Sequence, residues 1–129
     1  MKAKGVVVTG AILMALGVAF GAFGAHIVEG MLTPDRCDVY QTAVQYQFYH
    51  ALGLILIGAL SQHLDATKWL RWSSWLITAG VVIFSGSLYL LTLTDPGWLG
   101  AITPIGGAAF IAGWLCLAVG VIKGADSPG

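Results

Sequence analysis

Three long stretches of the sequence are mostly apolar and contain no charged side chain: residues 5–28, 72–93 and 98–122. Each is long enough for a helix that crosses a lipid bilayer, which needs about 20 mostly apolar residues. The composition agrees, because 57% of the residues are hydrophobic and only 9% are charged, whereas soluble domains carry about 25% charged residues. The sequence therefore predicts an integral membrane protein built from α-helices.

The first stretch follows Lys2 and Lys4 and ends in small residues, a pattern that secretory signal peptides share. Its apolar region is longer than that of a usual signal peptide. We therefore interpret residues 5–28 as a retained spanning helix.

A fourth span is less obvious, because its apolar part, residues 51–60, would cover only about half of a bilayer. A full span over residues 41–61 must carry glutamine, tyrosine and histidine into the membrane, and a re-entrant half-helix is the alternative. Thr33, Pro34 and Asp35 provide helix start signals before this segment, with Thr33 as the N-cap. We predict an all-α, integral membrane four-helix bundle, a single domain over residues 1–129, with spans at about 5–28, 41–61, 72–93 and 98–122.

The basic residues predict how the helices are oriented. Five of the six fall on one side of the predicted membrane, and the exception is Arg36. The five are Lys2, Lys4, Lys68, Arg71 and Lys123. Because cytoplasmic loops are enriched in lysine and arginine, both termini are expected in the cytoplasm.

Glycine is frequent within the spans, and small residues recur on single helix faces. Such residues let membrane helices approach closely. The predicted packing positions are Gly17, Gly21 and Gly24 in the first span and Gly106, Gly113 and Gly120 in the last. A second stripe in the first span, Ala11, Ala15 and Ala22, leads to His26. The first span is therefore expected to pack against neighbours on two sides.

Four segments of the sequence carry a resemblance to a known family. They are GAFGAH (21–26), YQTAVQYQFYHALGL (40–54), SGSLYLLTLT (85–94) and TPIGGAAFIAGW (103–114). In this order they resemble the family called domain of unknown function 423, which includes transmembrane protein 256. The resemblance implies a small bacterial inner (plasma) membrane protein with four helices, and it implies no activity. Cys37, His63 and Cys116 lie outside the recognised pattern.

Hydrogen-bonding side chains are concentrated just before the apolar part of the second span. His50 lies roughly 17 Å along the helix from its cytoplasmic end, near the middle of the membrane. Because polar faces are costly against lipid, we predict that Gln45, Tyr46, Tyr49 and His50 face the bundle interior. Other spans contribute Ser85, Tyr89 and Thr103 at similar depth. These seven residues are the candidate polar pocket, and His26 and Glu29 are expected at the outer interface.

Three interpretations of this polar face remain open. In the first, its side chains form hydrogen bonds with one another and fix helix packing. In the second, they form an outward-facing pocket for a small molecule, lipid or proton. In the third, a partner protein completes the site. The leading hypothesis is a structural or accessory membrane protein that associates with itself or joins a larger membrane complex. The alternative is a small-molecule, lipid or proton-handling protein that uses the pocket around His50.

The sequence shows no catalytic constellation, because no nucleophile is paired with a base and no carboxylates are paired within a span. His26 and His50 are predicted at depths about 10–15 Å apart, too far for one metal ion, since metal–nitrogen bonds are about 2 Å. Cys37 and Cys116 are predicted at opposite depths, too far apart for a disulfide. We expect no enzyme activity, metal, cofactor or nucleic-acid partner, and the lipid bilayer as the surroundings.

Overall fold

A computed structural model of the chain describes residues 2–64, 68–94 and 97–125. Every regular element in these residues is helical, and four long helices result: α1 (Ala3–Glu29), α2 (Pro34–Ser61), α3 (Lys68–Thr94) and α4 (Leu99–Ala125). All four are long and apolar enough to cross a membrane. The prediction of an all-α membrane protein with four spans is therefore confirmed.

The second helix, α2, begins earlier than the predicted span, at its start signals. The Thr33 hydroxyl accepts a hydrogen bond from the Arg36 backbone N–H at 3.4 Å, and Pro34 occupies the first helical turn. From there α2 continues for 28 residues to Ser61. A helix of this length is about 42 Å long, so the re-entrant half-helix does not describe this segment.

Two of the helices contain a π-helical segment, Ala19–Gly24 in α1 and Val81–Ser85 in α3. A π segment holds an extra residue per turn and shifts the faces of the helix that follow it. In α1 the Tyr40 hydroxyl of α2 donates a hydrogen bond to the Phe20 carbonyl at 2.6 Å. Gly24 makes room for this contact, because a Cβ there would lie 2.5 Å from the Tyr40 hydroxyl oxygen.

The six predicted packing glycines all lie where two helices meet. In α1, a Cβ on Gly17 or Gly21 would press on side chains of α2, at 2.9 Å from Phe48 and 3.0 Å from Val44. In α4, a Cβ on Gly106 would lie 2.5 Å from the backbone nitrogen of Phe84 in α3. The remaining three behave alike: Gly24 faces Tyr40, Gly113 faces Ile77, and Gly120 faces Trp69. The glycines thus bring α1 onto α2 and α4 onto α3 within one chain.

The other small-residue stripe of α1 has no neighbour among the residues that the structure describes. Ala11, Ala15 and Ala22 are all exposed, so α1 packs on one side only. The prediction that α1 packs on two sides does not hold within the monomer, because α3 and α4 pack on each other and on α2 and leave the far side of α1 uncovered.

Where α2, α3 and the start of α1 converge, the core is apolar, formed by Val6, Leu54, Ile57 and Ile77.

The antiparallel helices place charges of different sign at the two ends of the bundle. The basic end carries Lys4, Lys68 and Lys123, and the acidic end carries Glu29, Asp35 and Asp38. At the basic end the ammonium groups of Lys68 and Lys123 lie 5.7 and 5.3 Å from the ring centroid of Trp69.

Candidate functional site

A buried glutamine near the middle of α2 links three helices of the bundle. The Gln47 side chain is only 3% exposed. Its Nε2 donates a hydrogen bond to the Leu13 carbonyl of α1 at 2.8 Å, and its Oε1 accepts one from the Tyr89 hydroxyl of α3 at 2.6 Å. Both ends of the amide are therefore satisfied inside the protein.

Hydroxyl groups of α3 and α4 lie near Gln47 along the bundle. Ser85 donates to the Ala43 carbonyl of α2 at 2.8 Å, which ties the π segment of α3 to α2. The hydroxyls of Ser87 and Thr103 lie 2.6 Å apart and join α3 to α4. We refer to the five side chains that make these bonds as the polar cluster: Gln47, Ser85, Ser87, Tyr89 and Thr103.

His50 lies one turn beyond Gln47 on α2, among aromatic rings. It is buried, and its Nδ1 lies 2.7 Å from the Tyr46 carbonyl. Because a carbonyl only accepts hydrogen bonds, Nδ1 carries the proton, and Nε2 of the neutral ring is an acceptor. The imidazole stacks on Phe110 of α4 with ring centroids 3.5 Å apart, and Trp114 lies beside it at 5.6 Å. His50 is thus held by ring packing more than by polar partners.

The predicted inward face of α2 is partly wrong. Gln45 and Tyr49 are exposed on the outside of the bundle, with Tyr49 at 59% exposure. Tyr46 is also exposed in part, although its ring packs on Phe84 at a centroid distance of 4.6 Å. Only His50 among the four is buried. The error arises because α2 carries polar side chains on all sides, so polarity alone does not reveal which face is inside.

Sequence reasoning missed Gln47, although a signal for it was present. Gln47 shares one side of α2 with Ala43, Ala51 and Gly58. Each alanine lies four residues from Gln47, and Gly58 lies seven residues, about two turns, beyond Ala51. Small residues at this spacing mark helix packing faces in membranes. The rule that located the glycine stripes of α1 and α4 would have placed Gln47 inside.

The other predicted site residues lie apart from the polar cluster. His26 and Glu29 are exposed at the acidic end of α1. Cys37 and Cys116 are free thiols. Within residues 2–64, 68–94 and 97–125, no group of three histidine, cysteine, aspartate or glutamate residues is arranged to hold a metal ion.

The chemistry available to the polar cluster is limited by how completely it is bonded. Over the part of the chain that the structure describes, every side-chain nitrogen or oxygen atom that is itself fully buried has a hydrogen-bond partner. The rings of Phe84 and Phe110 lie between α3 and α4 beside His50. The packed rings and these hydrogen bonds fix the positions of the helices, and every side chain of the polar cluster already has a hydrogen-bond partner.

A groove of about 280 Å³ lies on a different side of α2, against α1. It is lined by Gly21 and Ala25 of α1 and by Tyr40, Gln41, Val44, Gln45 and Phe48 of α2. Two of these residues, Gln41 and Gln45, are exposed. This groove is therefore on the surface of the protein, away from the predicted pocket around His50.

Comparison with known proteins places the chain in a family of membrane proteins. The family described as "Protein of unknown function (DUF423)" matches residues 20–107. The UPF0382 membrane protein SH2409 of Staphylococcus haemolyticus is 50% identical over 117 residues, covering 91% of this chain and 94% of that protein. The UPF0382 membrane protein YwdK of Bacillus subtilis is 45% identical, with 91% and 95% covered. No solved structure matches the chain. The chain therefore belongs to the DUF423 family, as its resemblance predicted, and its relatives carry the name UPF0382 membrane protein.

Proposed function

We propose that this protein is a non-enzymatic, structural or accessory component of a bacterial inner membrane, which works by associating with itself or with a larger membrane complex. Its relatives are named membrane proteins of bacteria. The proposal includes an orientation with the basic end in the cytoplasm, which the distribution of Lys4, Lys68 and Lys123 supports.

One observation carries this proposal: the polar cluster inside the bundle is bonded, whereas the glutamine side chains that make no hydrogen bond to the described residues point outward. The Tyr89 hydroxyl donates a hydrogen bond to Gln47, and the Ser85 hydroxyl donates one to a backbone carbonyl. Gln41 and Gln45 lie on the surface of α2. Because unpaired polar groups are the ones that can bind something else, the available binding chemistry faces other molecules in the membrane.

The glycine stripes do not contribute to this argument. Small-residue faces can mark association between membrane proteins, but Gly17, Gly106 and Gly113 are covered by helices of the same chain. Of the small-residue stripes predicted from the sequence, the one formed by Ala11, Ala15 and Ala22 of α1 is exposed in the described residues and remains available for contact with another protein.

Native mass spectrometry from mild detergent tests the proposal. The tagged protein is expressed at low level, extracted gently and weighed without crosslinking. We expect species heavier than one 13.5 kDa chain, either homo-oligomers or complexes with another membrane protein. A strictly monomeric particle that never carries a second protein, also after reconstitution in nanodiscs, would refute it.

A second candidate function uses His50, and the geometry of its ring is the observation that favours it. With Nδ1–H bonded to the Tyr46 carbonyl, Nε2 is left as an acceptor that makes no hydrogen bond to the described residues. It is therefore suited to take a proton or a hydrogen bond from a small molecule. Chemical-shift titration of ¹⁵N-histidine in His26→Ala/His63→Ala protein tests this. A ring that neither titrates nor shifts on exposure to candidate ligands would exclude it.

A further inference from the structure

One helix carries all the exposed glutamine and tyrosine side chains of the four described helices. These are Gln41, Gln45, Tyr46 and Tyr49, all on α2. The exposed positions in the middle of α1, α3 and α4 are aliphatic or aromatic, such as Leu16, Val82 and Ile111. The outward face of α2 therefore differs in chemistry from every other outward face.

With the bilayer centred on α2, both glutamines lie within its hydrocarbon layer. In a hydrocarbon layer of about 30 Å centred on the 42 Å helix, the layer begins about 6 Å from Pro34. Gln45 is 11 residues beyond Pro34 (45 minus 34), which places it about 10 Å inside the layer. Gln41 lies about 4–5 Å inside by the same measure.

In the ranges that the structure describes, the side chains of Gln41 and Gln45 make no hydrogen bond, in contrast to Gln47. Polar groups left unpaired in hydrocarbon are strongly unfavourable. Groups of this kind normally face a protein neighbour.

The same face is shaped to receive a helix. The exposed positions Gln45, Tyr49, Leu52, Leu56 and Ala59 recur with spacings of four and three residues along α2, the spacing of a seam between two helices that cross at about 20°. Beside it lies the groove that Gly21, Ala25 and Gln45 help to line. We call this surface, Gln41 to Ala59 on the outward side of α2, the glutamine face.

We propose that the glutamine face binds the glutamine face of a second copy of this chain, so that Gln45 of each copy bonds to Gln45 or Gln41 of the other. This inference rests on the proposed function and names its partner and its surface. An amide side chain has both a donor and an acceptor group, so it is complementary to another copy of itself. Copies inserted in the same direction are related by a two-fold axis along the membrane normal, which sets identical residues at identical depth. A second copy therefore always presents an amide where Gln45 needs one.

The geometry is tested by disulfide crosslinking in native membranes, with the glutamines left intact. Leu52 is 50% exposed on the glutamine face, and Leu115 is 62% exposed on α4 at a similar depth. In a Cys37→Ser/Cys116→Ala background, Leu52→Cys is expected to give a dimer under mild oxidation, and Leu115→Cys is not. Equal crosslinking at both positions, or at neither, would overturn the proposal.

The role of the amide is tested by Gln45→Leu in proteoliposomes, read out as energy transfer between labelled chains. We expect the dimerisation constant to fall about fivefold to tenfold, the loss of two reciprocal interhelical hydrogen bonds of about average strength. Gln62→Leu, an exposed glutamine beyond the end of α2, is the control and should leave the constant unchanged. An unchanged constant for Gln45→Leu would refute the pairing.

The two proposals fail in different ways. If Leu52→Cys crosslinks only to a different protein, the second-copy inference is wrong and association with a larger complex stands. If the protein stays monomeric, with lipid alone in the groove beside Gln45, both proposals are wrong.

Discussion

Replacing Gln47 by leucine should destabilise the folded protein more than any other single glutamine substitution on α2. The side chain is 3% exposed and forms hydrogen bonds of 2.8 Å to α1 and 2.6 Å to α3. Interhelical hydrogen bonds in membranes average about 0.6 kcal/mol and reach about 1.7 kcal/mol. Two such bonds give a loss of about 1–3 kcal/mol in the free energy of unfolding.

The bond between Gln47 and Tyr89 can be separated from the rest by a double-mutant cycle. Tyr89→Phe removes the hydroxyl and should cost about 0.6–1.7 kcal/mol. In Gln47→Leu/Tyr89→Phe the shared bond is lost once, so the double variant should be more stable than the sum of the single losses predicts. The expected coupling is about the strength of that one bond, since removing both partners leaves no hydroxyl unpaired.

The measurement is reversible unfolding by SDS in mixed micelles, under dilute conditions in which the protein is monomeric. Gln45→Leu is the matched control, because it makes the same change two residues away on the exposed side of α2. It should leave the free energy of unfolding within about 0.5 kcal/mol of the wild type. A Gln47→Leu variant as stable as Gln45→Leu, or a strictly additive cycle, would show that Gln47 does not hold the three helices together.

The remaining predictions concern packing, the histidine and orientation. Gly106→Ala should lower the free energy of unfolding in detergent by about 1–3 kcal/mol through overpacking, because the added Cβ would lie 2.5 Å from the backbone nitrogen of Phe84. Gly86→Ala, with nothing within 4 Å, should be neutral or stabilising, and equal effects would contradict this. His50→Phe should keep the ring stack and near wild-type stability, whereas His50→Leu should lose about 0.5–1.5 kcal/mol; the reverse order would mean that the hydrogen bond to Tyr46 matters more than the stack. Cys37, with Cys116 replaced by alanine, should react with impermeant maleimide from the periplasmic side of spheroplasts, and labelling from the cytoplasmic side alone would invert the proposed orientation.

The sequence by itself determined the fold class, the number of spanning helices and the signals that start α2. Long uncharged stretches leave little alternative to spanning helices, because only internal hydrogen bonding satisfies the backbone in lipid. Thr33 and Pro34 set the start of α2 through local capping, which needs no tertiary contact. The glycines of α1 and α4 were identified as packing positions because close helix contact has few solutions other than small residues.

Only the tertiary structure decided which side of each helix is inside. In a soluble protein apolar residues mark the interior, but in a membrane both the interior and the lipid-facing surface are apolar, so hydrophobic periodicity does not distinguish them. The π segments at Ala19–Gly24 and Val81–Ser85 also shift which residues face inward in the part of the helix that follows. A helical wheel drawn at 100° per residue does not predict this shift. On α2, Gln45 and Gln47 are chemically identical and two residues apart. One is buried and bonded and the other exposed because α1 and α3 supply partners, the Leu13 carbonyl and the Tyr89 hydroxyl, on one side of the helix only.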